Sequence, residues 1–452
     1  MGEPDNNHPT TSQRRQQALL AGISLPAMPA WEAEESLDEL ARLTETAMLT
    51  VADRVLQHRD RVDPTYFLGR GKAAEIGDLA RAHKAELIIF DNDLSPAQMR
   101  NLERLTELRV LDRSGLILDI FARHARTRTA QIQVELAQLN YLLPRLTRQW
   151  THLSRQAGGG AIRGMGAVGV RGPGETQLET DRRMIRKRIR DLRTRLDKIG
   201  TQMETGRRGR SGAFRVTLVG YTNAGKSTLM RALSGTRVLV QDQLFATLDS
   251  TTRSVDLDSP RNILLTDTVG FIRRLPHSLF ASFQATLAEA VEADLLLHVV
   301  DLSHPHYAMQ IQAVNQVLRD LGLEDRSTLM VYNKADLLDG AGPQPTVSPE
   351  APDEGVRVSA LTGLGLDALR QRIAACSRAQ TVTLDLIMPQ HEGRLLARLE
   401  SRADILQRSF RDNDVHLRVR VASEEATRLH LKRFQTAAVE TLSPNGPENG
   451  NA

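Results

Sequence analysis

Residues 220–227 carry the pattern with the clearest chemical meaning. They read Gly-Tyr-Thr-Asn-Ala-Gly-Lys-Ser, which matches the phosphate-binding P-loop G-x-x-x-x-G-K-[ST]. An apolar, β-branched run at 214–220 precedes the loop, and residues 227–233 continue with helical character. A strand, a glycine-rich loop and a helix N-terminus in this order aim backbone N–H groups at anionic phosphates. The motif predicts a nucleotide site in which Lys226 bridges the β- and γ-phosphates and the Ser227 hydroxyl holds Mg²⁺.

Later segments follow in the order that a GTPase requires. The buried run 262–267 ends in Asp267, which would hold Mg²⁺ through water, and the N–H of Gly270 would sense the γ-phosphate. Another strand ends in Asn-Lys-Ala-Asp at 333–336, where the Asp336 carboxylate can accept from guanine N1–H and the 2-amino group together. Adenine lacks this pair of donors, so Asp336 predicts GTP rather than ATP as the nucleotide.

The full set of predicted contacts is larger. Lys226 and Gly270 are the predicted catalytic positions, and the backbone N–H near Ala360 is predicted to bond guanine O6. Ser227, Thr247 and Asp267 are the predicted Mg²⁺ ligands. Thr251 and Thr252 are nearby alternatives to Thr247. The predicted nucleotide-binding residues are Gly220, Tyr221, Thr222, Asn223, Ala224, Gly225, Lys226, Ser227, Thr228, Phe245, Thr247, Asp267, Thr268, Val269, Gly270, Asn333, Lys334, Asp336, Ser359, Ala360 and Leu361.

Two positions bear on the rate of hydrolysis. Ras-like GTPases orient the attacking water with a Gln where this chain has Phe271, which cannot hydrogen-bond to water. Slow intrinsic hydrolysis is therefore expected until a partner or a rearranged switch completes the site. Asn223 resembles the P-loop asparagine of potassium-stimulated GTPases, in which K⁺ supplies charge that an arginine finger would otherwise provide. K⁺ is thus a candidate cofactor beside GTP/GDP and Mg²⁺; an Asn without a metal role is the alternative.

The composition predicts a soluble, cytoplasmic, multidomain protein. A length of 452 residues suggests roughly two to four domains. The lone cysteine, Cys376, excludes an internal disulfide and fits a reducing compartment. We expect no membrane span, because no apolar run approaches the roughly 18 residues that a span needs. The N-terminus also lacks the apolar core of a signal peptide.

Alternating strand-like and helix-like patterns predict an α/β chain of several domains, with a mostly parallel sheet in the N-terminal one. Its parts are a P-loop GTPase domain, an N-terminal α/β domain, a helical hairpin and a small C-terminal α/β domain. The predicted boundaries are a disordered tail at 1–16, the N-terminal domain at 17–125, the hairpin at 126–200, a linker at 201–212, the GTPase domain at 213–376, the C-terminal domain at 377–441 and a second disordered tail at 442–452.

Heptad-like spacing of apolar residues marks the two hairpin helices. The first seam comprises Ile132, Leu136, Leu139, Leu143, Leu146, Trp150 and Leu153, and the second comprises Leu178, Ile185, Ile189, Leu192, Leu196 and Ile199. Two such seams joined by a loop predict an antiparallel helical hairpin, with two separate bundle helices as the alternative. Pro144 is expected to kink the first helix.

The segment between the two seams is rich in glycine and positive charge. Residues 158–174 contain eight glycines in 17 residues, and residues 182–198 carry nine Arg or Lys against two Asp. A flexible cationic tip on a basic stem suits folded RNA, because cations meet phosphates and bare glycine backbone fits narrow crevices. A solvated basic face with a linker is the alternative. The predicted RNA-binding residues are Arg155, Arg163, Arg171, Arg182, Arg183 and Lys187.

The chain resembles a known family over residues 30–440. Residues 172–183, Gly-Pro-Gly-Glu-Thr-Gln-Leu-Glu-Thr-Asp-Arg-Arg, look like the signature of the HflX GTPases, within the Obg-HflX-like superfamily of translation-factor GTPases. The segments 67–72, 112–121, 133–138 and 267–272 add to the similarity. The chain departs from the family pattern at Ser114, where Thr is usual, and in extra loop residues at 161–170.

This resemblance implies a monomeric GTPase that binds the 50S ribosomal subunit and its 23S rRNA and splits or rescues stalled or stress-arrested 70S ribosomes. It also implies that the N-terminal part and the hairpin loop reach towards the peptidyl-transferase centre. A GTP-gated assembly factor for the large subunit, without splitting activity, is the main alternative. An RNA-modifying GTPase is a weaker one, because no cofactor motif accompanies the lone Cys376.

Overall fold

The computed structural model describes residues 15–146, 177–208, 213–235, 244–245, 250–257, 262–273, 290–338, 355–379 and 381–435. Several predictions lie outside these residues: disorder at 1–14 and 442–452, the glycine-rich loop at 158–174, the switch ligand Thr247, and the RNA contacts Arg155, Arg163 and Arg171. Among the described residues, no helix is both long and apolar enough to cross a membrane.

The N-terminal domain is a parallel sheet covered by helices on both faces. Its strands are β1 (Gln17–Ser24), β2 (Thr50–His58), β3 (Leu87–Phe90) and β4 (Arg109–Asp112), in the order β2-β1-β3-β4. Its helices are α1 (Ala30–Thr46), α2 (Arg70–Ala82), α3 (Pro96–Thr106) and α4 (Arg113–His124). Ser95 caps the N-terminus of α3, since its hydroxyl accepts from the Gln98 N–H at 3.2 Å.

Sequence patterns missed the central strand of this sheet. β1 is an almost continuous apolar run that is buried on both faces, so it shows no alternation of polar and apolar residues. Leu20 packs in the cluster that includes α1 and α4, whereas Leu19 packs in the cluster that includes α2 and α3.

The hairpin helices pack through the predicted seams. They are α5 (Arg128–Leu142) and α6 (Gln177–Arg208), and their shared apolar cluster includes Ile132, Leu136, Ile189 and Leu192. Two predictions are corrected. Pro144 does not kink a continuous α-helix, because α5 ends first and Pro144 lies in a 3-10 turn. The range 201–208 is not linker, since α6 continues through it to Arg208.

The GTPase domain is built on a six-stranded sheet. Its strands are β5 (Phe214–Gly220), β6 (Thr251–Val255), β7 (Ile263–Asp267), β8 (Leu295–Asp301), β9 (Thr328–Asn333) and β10 (Val356–Arg357), in the order β10-β9-β8-β5-β7-β6 with only β6 antiparallel. Its helices are α7 (Lys226–Ser234), α8 (Tyr307–Asp320) and α9 (Leu366–Ala379). The predicted boundary at 376 is therefore wrong by a few residues, because it falls inside α9.

The C-terminal domain is a small antiparallel sheet with two short helices. Its strands β11 (Thr381–Pro389), β12 (Asp404–Arg411) and β13 (Asp414–Ala422) lie in the order β11-β13-β12. α10 (Gly393–Arg402) and α11 (Ser423–Arg428) pack against the sheet. The predicted multidomain α/β class is confirmed. The edge strand β12 was not predicted, because its residues are mostly polar and exposed.

Candidate nucleotide-binding site

The P-loop joins β5 to α7 through positions that require glycine. A Cβ on Gly220 would lie 2.2 Å from the Val299 carbonyl oxygen of β8. Gly225 has φ +90°, and a Cβ there would lie 2.2 Å from the Asn333 side-chain nitrogen. Larger residues would push the loop away from the strands that support it. The backbone N–H groups are thus held at the start of α7, where a helix dipole favours an anion.

Lys226 lies buried beneath this loop. Its Nζ donates to the carbonyl oxygens of Gly220 at 3.1 Å and Tyr221 at 2.7 Å. Burial lowers the pKa of Lys226 to about 8, although the nearby Asp267 charge acts in the opposite direction. A phosphate anion would favour the ammonium form. The ammonium is therefore placed in the cradle before nucleotide binds.

Hard oxygen groups face each other beside Lys226. The Ser227 hydroxyl donates to Asp267 Oδ2 at 2.5 Å, and Asp267 is buried at the end of β7. The following residue, Thr268, fixes this strand end by donating from Oγ1 to the Leu218 carbonyl at 2.6 Å. Hydroxyl and carboxylate oxygens suit Mg²⁺, which takes one or two protein ligands in addition to phosphates and water.

The segment after β7 folds over the P-loop. The Phe271 N–H donates to the Gly220 carbonyl at 3.0 Å, and the Thr222 N–H donates to the Phe271 carbonyl at 2.7 Å. A Cβ on Gly270 would lie 2.8 Å from Thr222 Cα and 3.0 Å from Lys226 Nζ, so glycine is required there. The Phe271 side chain is buried in the apolar cluster, and its hydrocarbon ring offers no group to orient water.

Asn333 ties the guanine side of the site together. Its side-chain nitrogen donates to the Ala224 carbonyl at 2.9 Å, and its side-chain oxygen accepts from the Ala360 N–H at 3.0 Å. Lys334 has φ +63° and forms an ion pair with Asp301 at 2.6 Å. The P-loop, β9 and the loop after β10 are therefore held in one arrangement.

The other residues that are predicted to contact guanine lie near Asn333. Asp336 lies half-buried in the 3-10 turn Ala335–Leu337, and Ser359 is buried, with its hydroxyl accepting from the Thr362 N–H at 3.1 Å. The N–H of Ala360 is already bonded to Asn333. Guanine O6 would have to share that donor or use the N–H of Leu361, whose side chain is exposed.

One predicted contact is directed elsewhere. Phe245 has φ +57° and is buried with its ring edge-on to Phe121 of α4, at 4.7 Å between centroids. It therefore anchors its segment on the N-terminal domain and cannot stack on a base while so buried.

The alternatives to Thr247 lie on β6: Thr252 Oγ1 is hydrogen-bonded to Thr266 Oγ1 at 2.9 Å, and Thr251 pairs with Asp267 in the sheet. The other P-loop and strand-end predictions lie together, as described above.

Sequence patterns gave no sign of a second layer of residues around the P-loop. Helix α1 packs on the P-loop side of the GTPase domain, where the Trp31 ring stacks on His306 at 4.1 Å. His304 Nε2 lies 3.4 Å from Glu35, and burial lowers the pKa of His304 below its ordinary value. Only Asp301 among these residues could have been found from the sequence, because it ends the apolar run of β8 and polar groups at strand ends commonly line such sites.

Of the three predicted RNA contacts on α6, two are exposed and one is half-buried and hydrogen-bonded within the protein. Lys187 and Arg183 lie on the exposed face of the helix. Arg182 is half-buried and donates to the Leu146 carbonyl at 3.4 Å. Arg188, which was not predicted as a contact, forms a bidentate pair with Glu135 of α5 at 2.7 and 2.9 Å. The cationic face of α6 is thus turned to solvent while the seam packs on α5.

Three family models match the chain in succession. "GTP-binding GTPase N-terminal" matches residues 34–122, "GTP-binding GTPase Middle Region" matches 124–210 and "50S ribosome-binding GTPase" matches 215–334. The first covers most of the N-terminal domain, the second covers the hairpin, and the third covers the P-loop and the segment Asn333–Lys334.

Full-length relatives match over most of the chain. GTPase HflX of Escherichia coli (strain K12) is 45% identical over 399 residues, which are 87% of this chain and 92% of that protein. GTPase HflX of Flavobacterium psychrophilum is 47% identical over 321 residues, 71% of this chain and 76% of that protein. Among solved structures, a GTP-binding protein from the archaeon Sulfolobus solfataricus in complex with GDP is 23% identical, with a TM-score of 0.41, over 80% of this chain and 98% of that chain.

Proposed function

The chain belongs to the HflX family of GTPases, and from this premise we propose that it binds the large ribosomal subunit and uses GTP to split or rescue stalled 70S ribosomes. The observation that carries the proposal is the basic, exposed face of α6 on a hairpin that is joined to a GTPase domain. The match to a model described as a 50S ribosome-binding GTPase supports the same partner. We further propose 23S rRNA as the direct contact and the cytoplasm as the location.

The nucleotide is recognised by groups that the fold holds in place. Backbone N–H groups of the P-loop and the Lys226 ammonium bind the β- and γ-phosphates. The Asp336 carboxylate accepts from guanine, and Asn333 positions the loops around the base. The contact from Asp336, held in place by Asn333 and the neighbouring loops, makes the site selective for a guanine nucleotide.

Mg²⁺ fits the pair formed by Ser227 and Asp267, because their oxygens lie 2.5 Å apart beside the phosphate cradle. When bound with nucleotide, the ion would neutralise charge on the β- and γ-phosphates. Thr247 remains the proposed third ligand. Asp267 would present its carboxylate to the ion from the end of β7, a position that the Thr268 hydrogen bond fixes.

Hydrolysis requires a group that orients water, and the apolar Phe271 cannot supply it. We propose that ribosome binding rearranges the segment after β7 and completes the site, so that hydrolysis follows binding and releases the protein. K⁺ at Asn223 is part of this proposal, since the exposed Asn223 at φ +61° lies at the outer turn of the P-loop. Equal kcat values in K⁺ and in Na⁺, with the ribosome present, would remove K⁺ from the mechanism.

The cationic face of α6 is proposed to bind rRNA. Seven of its cations are exposed, namely Arg183, Arg186, Lys187, Arg190, Arg193, Arg195 and Lys198. An ordered row of cations can follow a phosphate backbone, and the packed seam holds the helix on α5. Binding energy at this surface would drive separation of the subunits, and the nucleotide would time release.

Sedimentation distinguishes this function from the large-subunit assembly factor. Purified 70S ribosomes would be mixed with the protein and GTP, a non-hydrolysable GTP analogue, GDP or no nucleotide, and separated on sucrose gradients. Conversion to 50S and 30S particles, with the protein retained on 50S under the analogue, is the expected result. Intact 70S particles with protein only on free 50S would favour the assembly factor. Failure to sediment with any particle would contradict both.

A further inference from the structure

The side chain of Tyr221 points away from the phosphates and into the N-terminal domain. Its hydroxyl donates to Glu39 of α1 at 2.5 Å and accepts from the Arg273 N–H at 2.9 Å. Burial raises the pKa of Tyr221 well above its ordinary value, and the charge of Glu39 adds to the shift. The phenol therefore keeps its proton, so it can donate to Glu39 while accepting from the segment after β7.

Glu39 is itself held in one orientation. Its second carboxylate oxygen forms an ion pair with Arg113 of α4, and both side chains are buried. Arg113 also pairs with Asp91 at 2.7 Å, and Asp91 accepts from the Ser36 hydroxyl at 2.6 Å. A buried network whose charges are paired resists rearrangement, because breaking one pair leaves another charge uncompensated. The acceptor for Tyr221 is thus fixed by the core of the N-terminal domain.

Arg273 also contacts the N-terminal domain through its side chain. The guanidinium forms an ion pair with Glu32 of α1 and lies 3.9 Å from Glu35 of the same helix. Residues 270–273 are consequently attached to α1 by a backbone hydrogen bond through Tyr221 and by a side-chain ion pair through Glu32. Both attachments must loosen if this segment moves away from the P-loop.

In this structure the Gly270 segment lies against the P-loop residues that the γ-phosphate is expected to contact. The γ-phosphate must reach both Lys226 and the Gly270 N–H. Even a methyl group on Gly270 would lie 3.0 Å from Lys226 Nζ and 2.8 Å from Thr222 Cα. A γ-phosphate that contacts both groups would enter between residues that lie close together in this structure, so it needs space between the Gly270 segment and the P-loop. GDP has no γ-phosphate and does not need this space.

We propose that Tyr221 is a specificity-determining residue for the γ-phosphate: its hydroxyl, oriented by Glu39 and Arg113, holds residues 270–273 over the P-loop and thereby favours GDP over GTP. GTP binding has to break the bond between the Tyr221 hydroxyl and the Arg273 N–H, and GDP binding does not. Removing one net hydrogen bond from this competition changes the relative affinity by about two- to tenfold.

The test is Tyr221→Phe in the full-length chain. Titration calorimetry would give the Kd values for GDP and for a non-hydrolysable GTP analogue, with Mg²⁺ present. The ratio of the analogue Kd to the GDP Kd is expected to fall by about two- to tenfold. Tyr141→Phe is the matched control, because Tyr141 is a partly buried tyrosine whose hydroxyl also donates to a carboxylate, Asp112, at 2.7 Å. Its ratio is expected to equal that of the unmodified protein.

Two outcomes of Tyr221→Phe would overturn the proposal. A uniform loss of affinity for both nucleotides would mean that the hydroxyl only supports the loop. A rise in the ratio would mean that it stabilises the GTP-bound state instead. If Tyr221→Phe does not fold, Glu32→Gln decides the question, since it releases Arg273 from outside the core. A fall in its ratio supports the mechanism, and an unchanged ratio contradicts it.

Discussion

The P-loop and the outer face of α6 present their cations in two different ways. In the P-loop the buried ammonium of Lys226 is fixed by two backbone carbonyls. On α6 the cations that we propose as phosphate contacts are exposed arginines and lysines such as Arg183 and Lys187. Single groups should therefore matter greatly in the P-loop, where the solvent is excluded, and only collectively on α6, where water and salt screen each charge.

The largest expected effect comes from removing the buried ammonium. Lys226→Ala should lower GTP hydrolysis by about 100-fold or more, because it deletes a fixed electrostatic contact to the transferred phosphoryl group. The measurement is kcat at saturating GTP together with the Kd for nucleotide. Lys72→Ala is the control, since Lys72 forms a surface pair with Glu75 on α2. A Lys226→Ala protein with normal kcat would show that the comparison is wrong.

The guanine contact should come next in size. Asp336→Asn replaces one acceptor oxygen by a donor amide, so the pair of bonds to guanine cannot form, and GTP affinity should fall by about 10- to 100-fold. The new amide can donate to a 2-oxo group, so xanthosine triphosphate should bind relatively better. Competition titration of GTP, ATP and xanthosine triphosphate measures the change. Unchanged preference for GTP would mean that Asp336 does not contact the base.

A pH series tests the buried ammonium without mutation. The pKa of Lys226 is lowered to about 8 in the protein without nucleotide, and bound phosphates raise it, so binding takes up a proton above that pH. Nucleotide affinity should be constant below about pH 7.5 and weaken by up to about tenfold per pH unit as the pH rises through the free-protein pKa. Kd values for GDP between about pH 7 and 9 measure this linkage. A flat profile would contradict a lowered pKa.

The smallest single effects are expected on α6. One substitution such as Lys187→Ala should change binding to ribosomes by less than about threefold, because screening leaves each exposed charge a small share of the binding energy. Removing Arg183, Arg186, Lys187 and Arg190 together should weaken binding strongly. The slope of log K against log salt should become shallower by about 0.7 to 0.9 for each phosphate that the protein no longer neutralises. Binding of labelled protein to 50S particles over a salt series gives these slopes.

Arg188→Ala provides the control for α6 because Arg188 is paired with Glu135 of α5. It should leave the salt slope unchanged and cost at most about 1 kcal/mol in the free energy of unfolding, since the pair is partly exposed. Thermal unfolding measures that cost. A salt slope as sensitive to Arg188 as to the four exposed cations would show that this face is not the binding surface.

The sequence by itself determined the fold class, the order of the nucleotide motifs and the helical hairpin. These features depend on local rules. Glycine spacing specifies the P-loop, apolar runs that end in Asp267 and Asn333 specify strand ends, and heptad spacing specifies the seam of α5 and α6. The strands β1 and β8 were missed: β1 carries no alternation of polar and apolar residues, and β8 is likewise a buried, nearly continuous apolar run.

Only the tertiary structure decided which residues from distant parts of the chain surround the site. Glu39 and Arg113 are far from Tyr221 along the chain, yet they fix its hydroxyl. Phe245 looked like a nucleotide contact, but its ring packs on Phe121. Nothing in a local pattern encodes such pairings, because they arise when whole domains pack and buried polar groups must find partners. The sequence thus determined that the chain has a guanine-nucleotide site. The packing of the N-terminal domain on the GTPase domain decided which distant residues contact the P-loop and the segment after β7.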